Sequence, residues 1–140
     1  MSTENLTPTQ QQIKQAYEKW LLAVSTAKGN PDSVVALYDA DAIVLPTLSG
    51  KIHYNDKHCE NNLEKYFRRL TSIDGLTAIT SELHIKVIGD IAIANGLYNF
   101  NYKDEDDADQ VIPARFTFVY QKNQNGQWLI INHHSSTLPD

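Results

Sequence analysis

The chain predicts a single-domain α+β protein, and three observations carry that reading. Apolar residues recur at helical spacing through the first half. They alternate with polar ones, or run together as β-branched and aromatic tracts, through the second half. No repeat, low-complexity tract or linker separates the two halves, and 140 residues is the size of one domain able to bury a sizeable core. Helices followed by a long antiparallel meander is an α+β order.

The first helix has the clearest signal. Ile13, Ala16, Tyr17, Trp20, Leu21 and Val24 form one stripe at steps of three and one. Thr7-Pro8-Thr9-Gln10 supplies a capping hydroxyl, a proline for the first turn and a capping-box glutamine, while Gly29, Asn30 and Pro31 stop the helix. A short second helix is expected over 31–38 from an Asn30 cap, burying Val34, Val35, Leu37 and Tyr38. Ile43-Val44-Leu45 reads as a short strand ended by Pro46, and 47–54 as loop. A third helix is expected over 55–70, with Cys59, Leu63, Tyr66, Phe67 and Leu70 at helical spacing. Strands follow at about 77–88, 91–102, 111–122 and 128–136, with Gly89-Asp90 and Asn125-Gly126 as turns. The whole chain, 1–140, is expected to be one domain with residues 1–6 flexible.

The last strand pair carries the chemistry. Two apolar and aromatic runs flank an Asn-Gly turn, and Arg115, Thr117, Asn132, His133, His134, Ser135 and Ser136 sit among bulky neighbours. Whether Gln124 or Lys122 faces Gln127, period-two alternation places Arg115, Thr117 and Val119 on one face with Trp128, Ile130, Asn132 and His134. The opposite face carries Phe116, Phe118, Tyr120, Leu129, Ile131 and His133. Arg115 and His134 then form a candidate carboxylate site, the guanidinium binding bidentately and the imidazole as a titratable donor. His133 is expected to be buried or in an interface.

Composition removes several function classes. The formal net charge is −5, with no basic cluster longer than Arg68-Arg69, so nucleic acid is not an expected partner. No apolar run approaches a membrane span, and Met1 to Gln12 is too polar for a signal peptide, so a cytoplasmic location is expected. One cysteine, Cys59, excludes an internal disulfide, and its place on an apolar helical stripe marks a core residue rather than a nucleophile.

No cofactor or metal is expected. His133 and His134 are adjacent on a strand and point apart, and His53, His58 and His84 lack ligand-like spacing. The acidic run Asp104 to Asp109 lacks the glycine and terminal glutamate of a helix-loop-helix calcium site and reads as a solvated hairpin tip. No G-x-S-x-G elbow accompanies Ser135 or Ser136.

The segments A-R-F-T-F-V-Y-Q-K…G-Q-W-L-I-I-N-H-H-S-S, V-L-P-T-L-S and I-G-D-I-A-I-A-N-G-L-Y-N-F resemble the bacterial relatives of the calcium/calmodulin-dependent protein kinase association (hub) domain. These belong to the nuclear transport factor 2-like, or ketosteroid isomerase-like, superfamily. The resemblance runs from about Leu6 onward. It implies a cone: N-terminal helices on a curved antiparallel sheet, with a pocket inside, but no single activity. It also implies a histidine where His134 stands, in a cationic pocket, although two of the hub domain's arginine positions correspond to Tyr98 and fall near Phe118. Isomerase chemistry of this superfamily needs a carboxylate base in an apolar pocket. The matching segment, Asp41 to Thr47, has no acid after Val44.

Together these readings give an expected ligand pocket lined by Tyr17, Trp20, Tyr98, Arg115, Asn132 and His134. The expected function is a self-associating domain binding a small carboxylate-bearing ligand, without a complete acid–base pair. The alternative is a small isomerase- or dehydratase-like enzyme with His134 as acid–base and Arg115 as anion anchor. The apolar face of Phe116, Phe118, Tyr120, Leu129 and Ile131 exceeds what a small domain leaves to water, so helices or another subunit must cover it. Because the resemblance implies that the helices line the other side of the cone, a two-fold sheet-to-sheet homodimer through this face is expected, with a larger ring as the further option.

Overall fold

The computed structural model describes residues 5–140, so the flexibility expected of residues 1–4 lies outside the described residues. The elements run α1 (Pro8–Thr26), α2 (Asp32–Val35), β1 (Tyr38–Leu45), β2 (His53–Tyr54), α3 (Leu63–Thr71), β3 (Thr77–Ile88), β4 (Ile91–Lys103), β5 (Asp109–Lys122) and β6 (Trp128–Thr137). One sheet holds every strand in the order β2-β1-β6-β5-β4-β3. All neighbours are antiparallel except β1 and β6, which run parallel.

α1 forms as the sequence predicts. The Thr7 hydroxyl accepts from the Gln10 amide at 3.2 Å while the Gln10 side chain accepts from the Thr7 amide at 2.8 Å, closing the capping box. Its stripe of Ile13, Tyr17, Trp20 and Val24 is buried against the sheet. The second helix is only one turn long. Tyr38 already pairs with Ile130 in β1, held by the Ile130 amide donating to the Leu37 carbonyl at 3.0 Å.

The third helix starts eight residues later than its periodicity suggests. Asp56 and Asn62 divert the backbone first: Asp56 Oδ1 accepts from the His58 amide at 2.9 Å, and Asn62 Oδ1 accepts from the Lys65 amide at 2.8 Å as the true cap. Within the expected loop 47–54, His53 and Tyr54 form β2 on the free edge of β1.

Bulges between Thr80 and Glu82 and between Val119 and Tyr120 break the strict alternation and bend the long strands. At the first of these, Gly96 lies so close to β3 that a Cβ there would overlap the Glu82 carbonyl. The sheet thereby wraps one aromatic core: Tyr17 stacks on Phe116 at 4.8 Å, and Trp20 meets Phe118 edge-on at 5.1 Å and Tyr98 at 5.9 Å.

Candidate functional site

The β5–β6 connection decides which side chains face the core. Lys122 pairs with Trp128, so the loop is 123–127, one residue longer than the longer of the two registers expected from sequence. The Asn123 side chain organises it, accepting from the Asn125 and Gln127 amides at 2.9 Å each. The bulge then swings Ile130 inward beside Tyr120, away from the face it shares by simple alternation.

Arg115, Asn132 and His134 do share a face, with Thr117 opposite His134 and Val119 opposite Asn132, but it is the outer, exposed one. Tyr17, Trp20 and Tyr98 are buried on the inner face. The six residues expected around one pocket are therefore divided between the two faces. The cavities keep them apart, Tyr17 bordering one of about 220 Å³ and His134 another of about 300 Å³. The apolar face expected to make the dimer is also turned inward: α1 already covers Phe116, Phe118 and Tyr120. The physical reason is volume, because only the ring-bearing face fills the space between the sheet and α1.

His133 is the centre of the interior. It is 2% exposed, with Nδ1 2.8 Å from the Tyr38 hydroxyl and Nε2 2.6 Å from Ser135 Oγ. The Trp20 indole N–H donates to the Tyr38 hydroxyl at 3.0 Å, and an indole can only donate. The Tyr38 hydroxyl keeps one proton to give, and in the tautomer that uses it Tyr38 donates to Nδ1 and Nε2–H donates to Ser135. Ser135 bonds the Tyr98 hydroxyl, which lies 3.3 Å from Thr47 Oγ1. Protonating Nδ1 would reverse that contact and take from the Tyr38 proton its acceptor. Burial pushes the His133 pKa down to about 3, helped by neighbouring His134. Burial likewise raises those of Tyr38 and Tyr98.

The chain surfaces at a cleft of about 300 Å³ between the loop after β1 and the end of β6. Thr47, Ser49, Lys51, His134, Ser135 and Ser136 supply its polar lining. Arg115 reaches it only indirectly, donating through Nε to Ser136 Oγ at 3.1 Å. A second cavity of about 430 Å³, walled by Leu48, Ile73, Leu76, Phe100, Tyr102 and Ile112, is nearly all apolar. Among the described residues, the buried polar side chains are His53, Asn62, Thr71, His133 and Ser135, with no carboxylate. No group of three His, Cys, Asp or Glu side chains is placed to hold a metal ion among the described residues. No helix among them is long and apolar enough to cross a membrane.

Sequence reading singled out His134 and placed His133 as a buried residue, but missed the partners Tyr38, Ser135 and Thr47. Tyr38 was hidden by the helical pattern of Val34 and Val35 just before it. Asp104, at the start of the acidic run, is used internally: its carboxylate accepts from the Asp106 and Ala108 amides and from Gln110, which holds its pKa below the usual range.

An α1 helix laid across the inner face of a bent six-stranded sheet is the nuclear transport factor 2-like cone. A Streptomyces avermitilis protein named as a candidate dehydratase of that family superposes with a TM-score of 0.76, at 15% identity over 96% of this chain and 100% of its own. The chain belongs to the calcium/calmodulin dependent protein kinase II association domain family, whose model matches residues 9–139. A Xanthomonas campestris protein named for that association domain shares 29% identity over 100% of this chain and 94% of its own, with a TM-score of 0.84. The association domain of the C. elegans kinase superposes at 0.70, with 18% identity over 92% of this chain and 95% of that one. No curated protein matches the chain in sequence.

Proposed function

We propose that this protein is a self-associating module whose copies meet through the outer face of the sheet. One observation carries the reading: that face leaves apolar side chains in water. Ile79, Ile88 and Val111 are each more than half exposed, Ile43 is 39% exposed, and Ile93 and Val119 form a cross-strand apolar pair near its middle. Among the described residues no element packs over them, since the helices lie on the other side. Antiparallel β4, β5 and β6 present a broad surface suited to a two-fold, isologous contact. Membership in an association-domain family supports the same reading. The dimer expected from sequence is thus moved to the opposite face, and a larger ring would need a second contact surface.

The small-ligand part of the reading belongs to the cleft at Thr47. A carboxylate there would meet the Lys51 ammonium, the His134 ring and the hydroxyls of Thr47 and Ser136. An enzymatic role has less support, because the buried interior offers no carboxylate base and Arg115 does not line the cleft. Light scattering and sedimentation at micromolar concentration test the assembly, and monomeric mass would refute it. Titration with acetate, followed by NMR of the Lys51 and His134 side chains, tests the cleft. Shifts that survive Lys51→Ala unchanged would remove the anion site.

A further inference from the structure

The sheet outlasts the helix that covers it. α1 is fastened to β3 at its last turn, where Ser25 Oγ accepts from the Ala78 amide at 3.1 Å. Phe100 and Ile112 follow Ala78 in the same cross-strand row, and β4 continues past that row to Lys103. Beside this end of the sheet lies the apolar cavity of about 430 Å³, a volume in the range of small-molecule sites. Leu76 and Phe100 are buried at its wall, while Ile73, Tyr102 and Ile112 stay partly exposed around them. Leu48, 38% exposed, borders it from the loop after β1.

The charge at its rim has one sign. β4 leaves the cavity through Lys103, Asp104 and Glu105, the charged residues of the lining. The Lys103 ammonium is already engaged, 2.6 Å from Asp109 Oδ1. Asp104 is held as a carboxylate by the amides of Asp106 and Ala108 and by the Gln110 side chain, none of which offsets its charge. Glu105 is exposed, and neither acid has an ion-pair partner among the described residues. Asp74 joins the same rim, its carbonyl accepting from the Lys103 amide at 2.8 Å. An apolar hollow therefore opens beneath carboxylates that no cation of this chain neutralises.

We propose that this cavity binds a small organic amine, with its ring or short alkyl body against Leu76, Phe100 and Ile112 and its ammonium at the rim by Asp104 and Glu105. Burial of the body supplies the affinity, and the field of the two carboxylates selects the charge. An ammonium left at the rim keeps part of its hydration, so it avoids the cost of burying a charge. A carboxylate-bearing analogue would instead meet like charges at close range. The site is separate from the cleft at Thr47, whose Lys51 and His134 suit the opposite sign.

Three probes of one shape test this: 3-phenylpropan-1-amine, 3-phenylpropan-1-ol and 3-phenylpropanoate. Each is titrated into the full-length protein at low ionic strength and followed by NMR at the methyls of Leu76 and Ile112. The amine is expected to bind about fivefold more tightly than the alcohol, the scale of one or two exposed ion pairs, and the carboxylate most weakly. At about 0.5 M salt, where screening shortens the reach of the rim charges, amine and alcohol should converge. Glu105→Lys, at an exposed position, should remove the amine's advantage with the melting temperature unchanged. Leu48→Ser, at the exposed wall, should weaken all three probes alike. Equal binding of the three at low salt, a carboxylate that binds best, or shifts that leave Leu76 and Ile112 untouched would overturn the proposal. So would an amine preference that survives Glu105→Lys, or binding that Leu48→Ser leaves unchanged.

Discussion

The two faces of the sheet are made from the same strands and obey opposite rules. On the inner face, Phe116, Phe118, Tyr98 and Tyr120 pack against α1, and the polar atoms of Trp20, Tyr38, His133 and Ser135 pass hydrogen bonds along one direction. On the outer face, Arg115, Asn132 and His134 stand exposed among Ile43, Ile79, Val111 and Val119, with short local bonds such as Asn95 Nδ2 donating to Thr117 at 2.8 Å. The inner face is finished by its own chain. The outer face is not, and that difference separates what holds the fold from what the fold offers to a partner.

Substitutions should therefore divide by face. The largest effect is expected inside. Trp20→Ala removes a fully buried indole and one of the two hydrogen bonds of the Tyr38 hydroxyl, so it should cost about 3–5 kcal/mol in denaturant melts. A small loss there would mean that the interior is not closed as described.

The next effect depends on pH. His133 stays neutral when folded and titrates near its ordinary value of 6.5 when unfolded. Its folded pKa is lowered, so between pH 6.5 and about 3 the unfolded chain binds the extra proton. Stability is fully present above pH 6.5 and falls as pH drops through that window, by roughly 5 kcal/mol in all. His133→Gln, whose amide can accept from Tyr38 and donate to Ser135 without titrating, should flatten that slope in melts at stepped pH. An unchanged slope would assign acid sensitivity to other groups.

Gly96→Ala tests the bend in the sheet. Its Cβ would press on the Glu82 carbonyl and on the Phe116 ring, and a cost of about 1–3 kcal/mol is expected in the same melts. The smallest effects belong outside. Arg115→Ala and His134→Ala should each change stability by less than about 0.5 kcal/mol in the monomeric unit, as exposed positions do. A large loss at either would contradict the division by face.

Much of the fold was legible because local signals agreed. The Thr7 capping box, the α1 stripe and the four long strands appear where periodicity and turn residues put them. The misplaced parts have local causes. Asp56 and Asn62 overrode a helical pattern, and Tyr38 was claimed by a strand partner ninety-two positions away, which no local window contains. For the site, alternation correctly put Arg115, Asn132 and His134 together and His133 opposite. It could not say which face turns inward. That choice rests on the summed volume of Phe116, Phe118 and Tyr120 against Tyr17 and Trp20, a tertiary quantity. The bulge beside Tyr120 moved Ile130 as well, with no glycine or proline in β6 to announce it.

The central claim is that the outer face is an interface between copies of this chain. Sedimentation equilibrium of the wild type beside Val119→Lys, at equal micromolar concentration, tests it most directly. The account predicts a wild type of at least twice the 15.8 kDa chain mass and a monomeric Val119→Lys with unaltered far-ultraviolet circular dichroism. A monomeric wild type, or a Val119→Lys variant that assembles as the wild type does, would contradict it.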